Sequence, residues 1–251
     1  MIAFAGIVPH GEVGESPALQ EAMEELGRRC ERAGVQTALV VTPHNVHVEG
    51  HFAVVTAGRI GPHETERELV AALLAALRDD GLPALGVSYG GNDPADAEMP
   101  LDWGTEVPLE FIRADRVVVL APARDRPLEE HLRVGGVIRR VLEPRSRPVP
   151  RSRVALVASA DHGHAHDSSG PYGFHPAAAS YDERLQEILA SNRFDLLPLA
   201  ELAEDAKADS LWQLLVLQGA LGERVTVDLL AYAVPTYYGM LVAELTPPAL
   251  A

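Results

Sequence analysis

The chain has 251 residues, 47% of them hydrophobic and 23% charged, a globular composition that excludes disordered, collagen-like and low-complexity classes. Acidic side chains outnumber basic ones 36 to 21, and the formal net charge of −15 argues against binding to nucleic acid or to an anionic membrane surface. A single cysteine, Cys30, leaves no intramolecular disulfide framework and no thiolate metal cage.

Residues 2–8 form an apolar run that ends in Pro9-His10 and reads as a buried strand. The segment has no basic leader, so it is not taken for a signal peptide. Ser16-Pro17 opens a helix, with serine as the cap and proline at the first helical position, and Gly34 supplies the stop. Residues 36–42 are a second strand, ending in Pro43-His44, and 52–56 a third. Helical spacing puts Leu69, Ala72, Leu73 and Leu77 on one face of a helix over 63–78. A strand over 83–89, a short helix over 105–112, a β-branched strand over 116–122 and a helix over 128–142 follow. The proline- and arginine-rich stretch 143–153 reads as an exposed loop. Strand 154–159 then leads into a histidine-rich loop, 160–176, followed by helices over 177–190 and 210–221 and closing strands at 225–233 and 240–245.

Strands alternating with helices predict an α/β layered fold with a central, largely parallel or mixed sheet flanked by helices. No linker divides the chain, so residues 1–251 are expected to form one domain. No apolar run approaches the roughly 20 residues that a spanning helix needs, and a soluble cytoplasmic protein is the expectation. Ligands of such sheets collect beyond the carboxyl ends of the strands. His10, His44 and the cluster His162, His164, His166 each follow an apolar strand directly, which predicts that all of them converge on one sheet edge.

Two imidazoles and one carboxylate hold one face of an octahedral metal and leave three positions open. His10 and His44 are the first two candidate ligands, because a proline before each histidine narrows the backbone ensemble. In the run from Ser159 to Asp167, three histidines at alternate positions are flanked by Asp161 and Asp167, carboxylates that can fix imidazole tautomers and raise proton affinity. His47 and His51 read as solvent-facing, His63 and His175 as unremarkable, and His131 as a surface position on a polar helix.

The segments PHGEVGES, TPHNVHVEGHFAVVTA, MPLDWGTEVPLEFI and SADHGHAHDSSGPYGFHPAAASYDERL, in this order, resemble the LigB-like superfamily of class III extradiol ring-cleavage dioxygenases and the related Memo-like proteins. The resemblance implies a non-haem Fe(II) enzyme, with zinc or manganese as substitutes. Its substrates would be O2 and a catechol-type or aminophenol-type aromatic, and both oxygen atoms would enter the opened ring. It implies His10 and His44 as metal ligands and His164 as the residue that handles the substrate proton, with His162 beside it as a second candidate acid or base. The family's third ligand is a glutamate whose position falls at or near Ala208. The adjacent acid is Asp209, with Glu204 and Asp205 as fallbacks, and the competing reading of Asp209 is a cap for the next helix.

Where many members of the family carry Asp-His-Gly-Thr, this chain has Asp102-Trp103-Gly104-Thr105. Trp103 is then a candidate to stack on a substrate ring or to sit in the core, and His166 or His162 to replace the missing histidine contact. Glu106 is either a partner of the site or a helix-start acid. Arg124 and Arg126 are candidates for a ring carboxylate. The family also implies a homo-oligomer and, in some members, a small accessory subunit. Zinc hydrolysis at the same residues, or a Memo-like interaction protein without catalysis, are the competing functions.

Overall fold

The computed structural model describes residues 1–143, 152–191 and 193–246. The predicted loop at 143–153 thus falls, over 144–151, outside the described residues. In chain order the elements are β1 (Ile2–Val8), α1 (Pro17–Arg32), β2 (Thr37–Val41), β3 (Phe52–Val55), β4 (Arg59–Ile60), β5 (His63–Thr65), α2 (Arg67–Asp79), β6 (Ala84–Val87) and β7 (Glu98–Met99). They continue with α3 (Trp103–Phe111), β8 (Arg116–Ala121), α4 (Leu128–Leu142), β9 (Val154–Ser159), α5 (Ala177–Ala190), α6 (Ala200–Ala203), α7 (Leu211–Leu221), β10 (Thr226–Ala233) and β11 (Met240–Thr246).

One mixed sheet carries all the strands, in the order β10-β11-β1-β9-β2-β8-β5-β4-β7, with β3 and β6 branching from β8. Its centre, β1-β9-β2-β8, is parallel. Those strands are buried almost throughout, as expected of parallel strands covered on both faces. The closing strands form an antiparallel hairpin, and β11 runs antiparallel to β1. Two apolar clusters occupy the two faces of the sheet, with α2, α4, α5 and α7 over one and α1 and α3 over the other. Among the described residues, no helix is long and apolar enough to cross a membrane.

Several expectations change in detail. The first helix starts after Ser16, but the serine side chain makes no cap bond. Its stop is as expected, with Gly34 in the left-handed region at φ 62°. The predicted helix over 63–78 splits: His63–Thr65 is the short strand β5, and α2 begins at Arg67. His131 is fully buried, which corrects its assignment to the surface. It shares the inward stripe of α4 with Val134, Gly135 and Ile138, and its ring meets Phe52 edge-on at 5.0 Å. The spacing i, i+3, i+4, i+7 outweighs the polar neighbours on that helix.

Candidate metal centre

Because β1, β9 and β2 lie side by side and parallel, their carboxyl ends open on one edge, and the segments that follow them meet there. His10 follows β1. Its backbone N–H donates to Asp161 Oδ1 (3.2 Å), and its Nδ1 lies 3.0 Å from Ser159 Oγ, so the end of β9 fixes both backbone and ring. His44 follows β2. Its loop is tied to the start of α3 by Asp102, which accepts from Thr42 Oγ1, Asn45 Nδ2 and Thr105 Oγ1 at 2.8–2.9 Å. Gly104 permits that junction, since a Cβ there would fall 2.3 Å from Thr42 Oγ1.

Asp209 supplies the carboxylate. The α7 helix begins one residue later than expected and takes Ser210 as its cap position, so Asp209 stands outside the helix with its side chain among the histidines. Gln213 Nε2 donates to the Asp209 carbonyl (2.7 Å) and to the Ser159 carbonyl (3.1 Å), fixing the local backbone against β9. The two Nε2 atoms of His10 and His44 are 3.0 Å apart, and Asp209 Oδ2 lies 3.4 and 3.2 Å from them. Asp209 Oδ1 pairs with Arg124, whose guanidinium lies over the Trp212 ring at 4.7 Å. Glu204 and Asp205 are exposed and do not join this group, and Ala208 is buried beside it.

Burial, the largest cause for both histidines, lowers His10 and lowers His44 to about 4, so near neutral pH both imidazoles carry a lone pair rather than a charge. Two imidazole nitrogens and a carboxylate oxygen therefore meet at one point, and at 3.0 Å the facing nitrogens have room for at most one proton between them. His10, His44 and Asp209 are a group that could hold a metal ion, and a set of two nitrogens and one oxygen is of a kind that suits Fe(II), Zn(II) or Mn(II).

The centre lies on the wall of a cavity of about 1270 Å³. His164 also lines it. Its Nδ1–H donates to the His162 carbonyl (2.7 Å), which leaves Nε2 as the basic nitrogen, and burial lowers its pKa. The ring stacks on Tyr238 (centroids 5.2 Å) and has Tyr172 and Tyr237 about it at 5.9 and 6.0 Å. Trp103 is exposed on the same cavity, 4.5 Å from the His44 ring, and so is not a core residue. His47 and Arg124 line the cavity too, whereas Arg126 pairs with Glu130. Glu106 is exposed in the first turn of α3.

The other two histidines of the cluster go elsewhere. His162 is fully buried and outside the cavity lining. His166 donates from Nε2 to Asp182 Oδ2 (2.9 Å), also away from the cavity. The loop 161–166 is not a free strand. It is laced to the turn before β11 by His162 N–H to Gly239 O, Gly239 N–H to Gly163 O and His166 N–H to Tyr237 O. That lacing brings Tyr237 and Tyr238 to the cavity, and neither was singled out by sequence reasoning. The available signal was topological: a hairpin whose second strand runs antiparallel to β1 must turn at the edge where His10 lies.

Residues 9–242 match the model of a family described as the catalytic LigB subunit of aromatic ring-opening dioxygenase. Among solved structures, the chain is similar to an uncharacterized protein from Escherichia coli, with 17% sequence identity, a TM-score of 0.66, and coverage of 96% of this chain and 98% of that one. At that identity the likeness shows the fold alone. No protein of the curated set matches.

Proposed function

The chain belongs to the family of the catalytic LigB subunit of aromatic ring-opening dioxygenases, and on that premise we propose that it is an Fe(II)-dependent extradiol dioxygenase acting on a catechol-type substrate. The observation that carries the reading is the convergence of His10, His44 and Asp209 on one point of a cavity that also presents a neutral histidine and an aromatic wall. When bound, Fe(II) supplies Lewis acidity toward two vicinal hydroxyls and the redox chemistry that dioxygen requires. In the overall reaction the ring carbon–carbon bond beside the diol breaks, and both atoms of O2 enter the product.

The protein's own groups then have distinct tasks. His10, His44 and Asp209 Oδ2 would hold the cation at the wall of the cavity. Ser159 and Asp161 orient His10, Asp102 orients the His44 loop, and Arg124 occupies the outer oxygen of Asp209. His164 Nε2 takes a proton from a substrate hydroxyl and returns it as the ring opens, a role suited to an imidazole that burial keeps neutral. Tyr238, Tyr237, Tyr172 and Trp103 offer flat faces to the substrate ring, each stacked pair contributing about 0.5–1.5 kcal/mol beyond burial.

Anaerobic loading with Fe(II), followed by oxygen uptake against a panel of catechols, tests the reading. The expected result is stoichiometric iron, oxygen consumption and a yellow ring-opened product. Full iron occupancy with no uptake for any catechol would overturn it. Activity restored by Zn(II) without oxygen consumption would replace it with hydrolysis at the same residues.

A further inference from the structure

The two ends of the sheet are built differently. At one end β7 and β4 are two residues each and carry Glu98 and Arg59, and β6, branching off through β3, has four residues. Very short strands and charged side chains blunt an edge against further pairing. At the other end stands β10, eight residues long, and among the described residues it pairs only with β11. Arg193 makes an isolated bridge to Arg224, ahead of the strand. Among the described residues, one row of backbone donors and acceptors from Thr226 to Ala233 therefore has no strand partner.

The sequence of β10, TVDLLAYA, contains no proline and no lysine, and its one charge, Asp228, is held by Arg29 Nη1 at 2.6 Å. The same guanidinium holds Glu244 at 2.9 Å and Glu25 at 2.9 Å, and Arg28 and Arg32 also reach Glu25, at 3.0 and 3.1 Å. Asp228, Glu244 and Glu25 thus each have an arginine. A molecule of net charge −15 repels its own copies over much of its surface, and this edge, where acids are paired, opposes their approach least. Two exposed apolar side chains, Leu229 at 39% and Val234 at 36%, lie along it. The register shift between Leu229 and Ala231 puts a bulge at Leu230, which sharpens the local twist but leaves residues 226–229 regular against β11.

We propose that β10 pairs antiparallel with β10 of a second copy of this chain, about a two-fold axis normal to the sheet, so that one sheet runs through a homodimer. Such an axis requires a self-complementary strip. Centred on Leu229, the pairing sets that leucine against its own copy and leaves Asp228 opposite Leu230 rather than Asp228. The same axis sets α1 antiparallel to its copy. Along α1, Glu21, Glu24 and Glu25 precede Arg28, Arg29 and Arg32, so the acidic half of one helix lies toward the basic half of the other. α1 and α5 flank β10 on its two faces. The strip is then about 27 Å long by about 30 Å thick, about 800 Å² a side, the size of an ordinary stable interface. The pairing does not depend on the dioxygenase reading.

Sedimentation equilibrium of the full chain, from low to high micromolar concentration, tests it. The expected result is a species of twice the chain mass. Leu229→Lys puts two like charges across the axis and should weaken the dimer at least about tenfold, with the circular dichroism of the parent retained. A chain that stays monomeric over the whole range overturns the proposal, the outcome also expected if the edge receives a strand from another protein. Undiminished dimerisation of Leu229→Lys overturns it by placing the interface elsewhere. Hydrogen exchange of the parent reads the same edge without a substitution: amides in 226–233 should slow with rising concentration while those in 84–87, on β6, do not. No slowing in 226–233 overturns the pairing.

Discussion

Two buried carboxylates, Asp209 and Asp182, each sit among histidines, and their partners differ in kind. Asp182 is saturated with donors: Gly163 N–H at 2.8 Å on Oδ1, with His166 Nε2–H at 2.9 Å and the Tyr232 hydroxyl at 2.8 Å on Oδ2. A Cβ at Gly239 would fall 1.9 Å from the same oxygen, so the pocket is closed on every side. Asp209 Oδ2 instead faces two imidazole nitrogens at 3.2 and 3.4 Å, both on rings whose charged form burial disfavours, beside an open cavity. Donors that satisfy a carboxylate make a structural knot. Imidazole nitrogens that crowd it beside an open cavity make a candidate cation site. The difference lies in how fully each carboxylate is supplied with donors and not in how many histidines are near.

The largest effect expected from this contrast is on metal. Replacing His10, His44 or Asp209 by alanine should weaken the bound cation by at least about a hundredfold, measured as metal content after anaerobic loading and desalting. The corresponding change in the other region, His166→Ala, should leave metal content as it was. Equal loss in both would erase the distinction between the two carboxylates. Next comes His164, which touches neither carboxylate in the structure. His164→Gln should keep full metal and lower turnover by about two to four orders of magnitude, the span ordinarily supplied by a positioned acid–base group. Loss of metal in that variant would make it a ligand instead.

Asp182→Ala reverses the pattern. It strands two side-chain donors and a backbone N–H in a closed pocket, which should cost about 3–5 kcal/mol of folding stability and lower Tm by about 10 °C, read by thermal unfolding. Metal content in the folded fraction should stay close to that of the parent. A variant that keeps its Tm but sheds its metal would show that the knot serves the cation site directly.

How much of this could be read beforehand follows the same physics. Pro-His at the ends of two parallel strands was legible because strand direction and side-chain order decide which edge a residue reaches, and that needs no knowledge of packing. Asp209 was legible only to within a residue, since the start of α7 depends on a cap that could have been either Asp209 or Ser210. The division of labour among His162, His164 and His166 was not legible. Alternation predicts a common face for all three, but backbone lacing to residues 237–239 turns them three ways: into the interior, into the cavity and onto Asp182. β4, β5 and β7, two or three residues each, are too short to carry any periodicity.

His131 lies outside both carboxylate regions and shows burial outweighing the carbonyl and carboxylate neighbours that favour a charged imidazole. It is fully buried, and desolvation, the dominant cause, lowers its pKa from 6.5 to about 4. Above pH 6.5 the ring is neutral folded or unfolded, and pH has no leverage through it. As pH falls from 6.5 toward 4, the unfolded chain takes up a proton that the folded chain refuses, so stability declines, and below about 4 both states are protonated and the decline stops. The full loss is about 3 kcal/mol spread over that window. His44, lowered to about 4 by the same cause, adds a similar slope in metal-free protein, so the measurement is a difference. Denaturant unfolding of metal-free parent and His131→Leu at a series of pH values should show the variant losing about 3 kcal/mol less between pH 6.5 and 4. Metal bound at His44 should remove a second share of the slope from both proteins alike, because a coordinated imidazole takes up no proton until the cation leaves. Parallel curves for parent and His131→Leu would mean that the ring is protonated within the fold, and that burial by itself does not keep the imidazoles of this protein neutral.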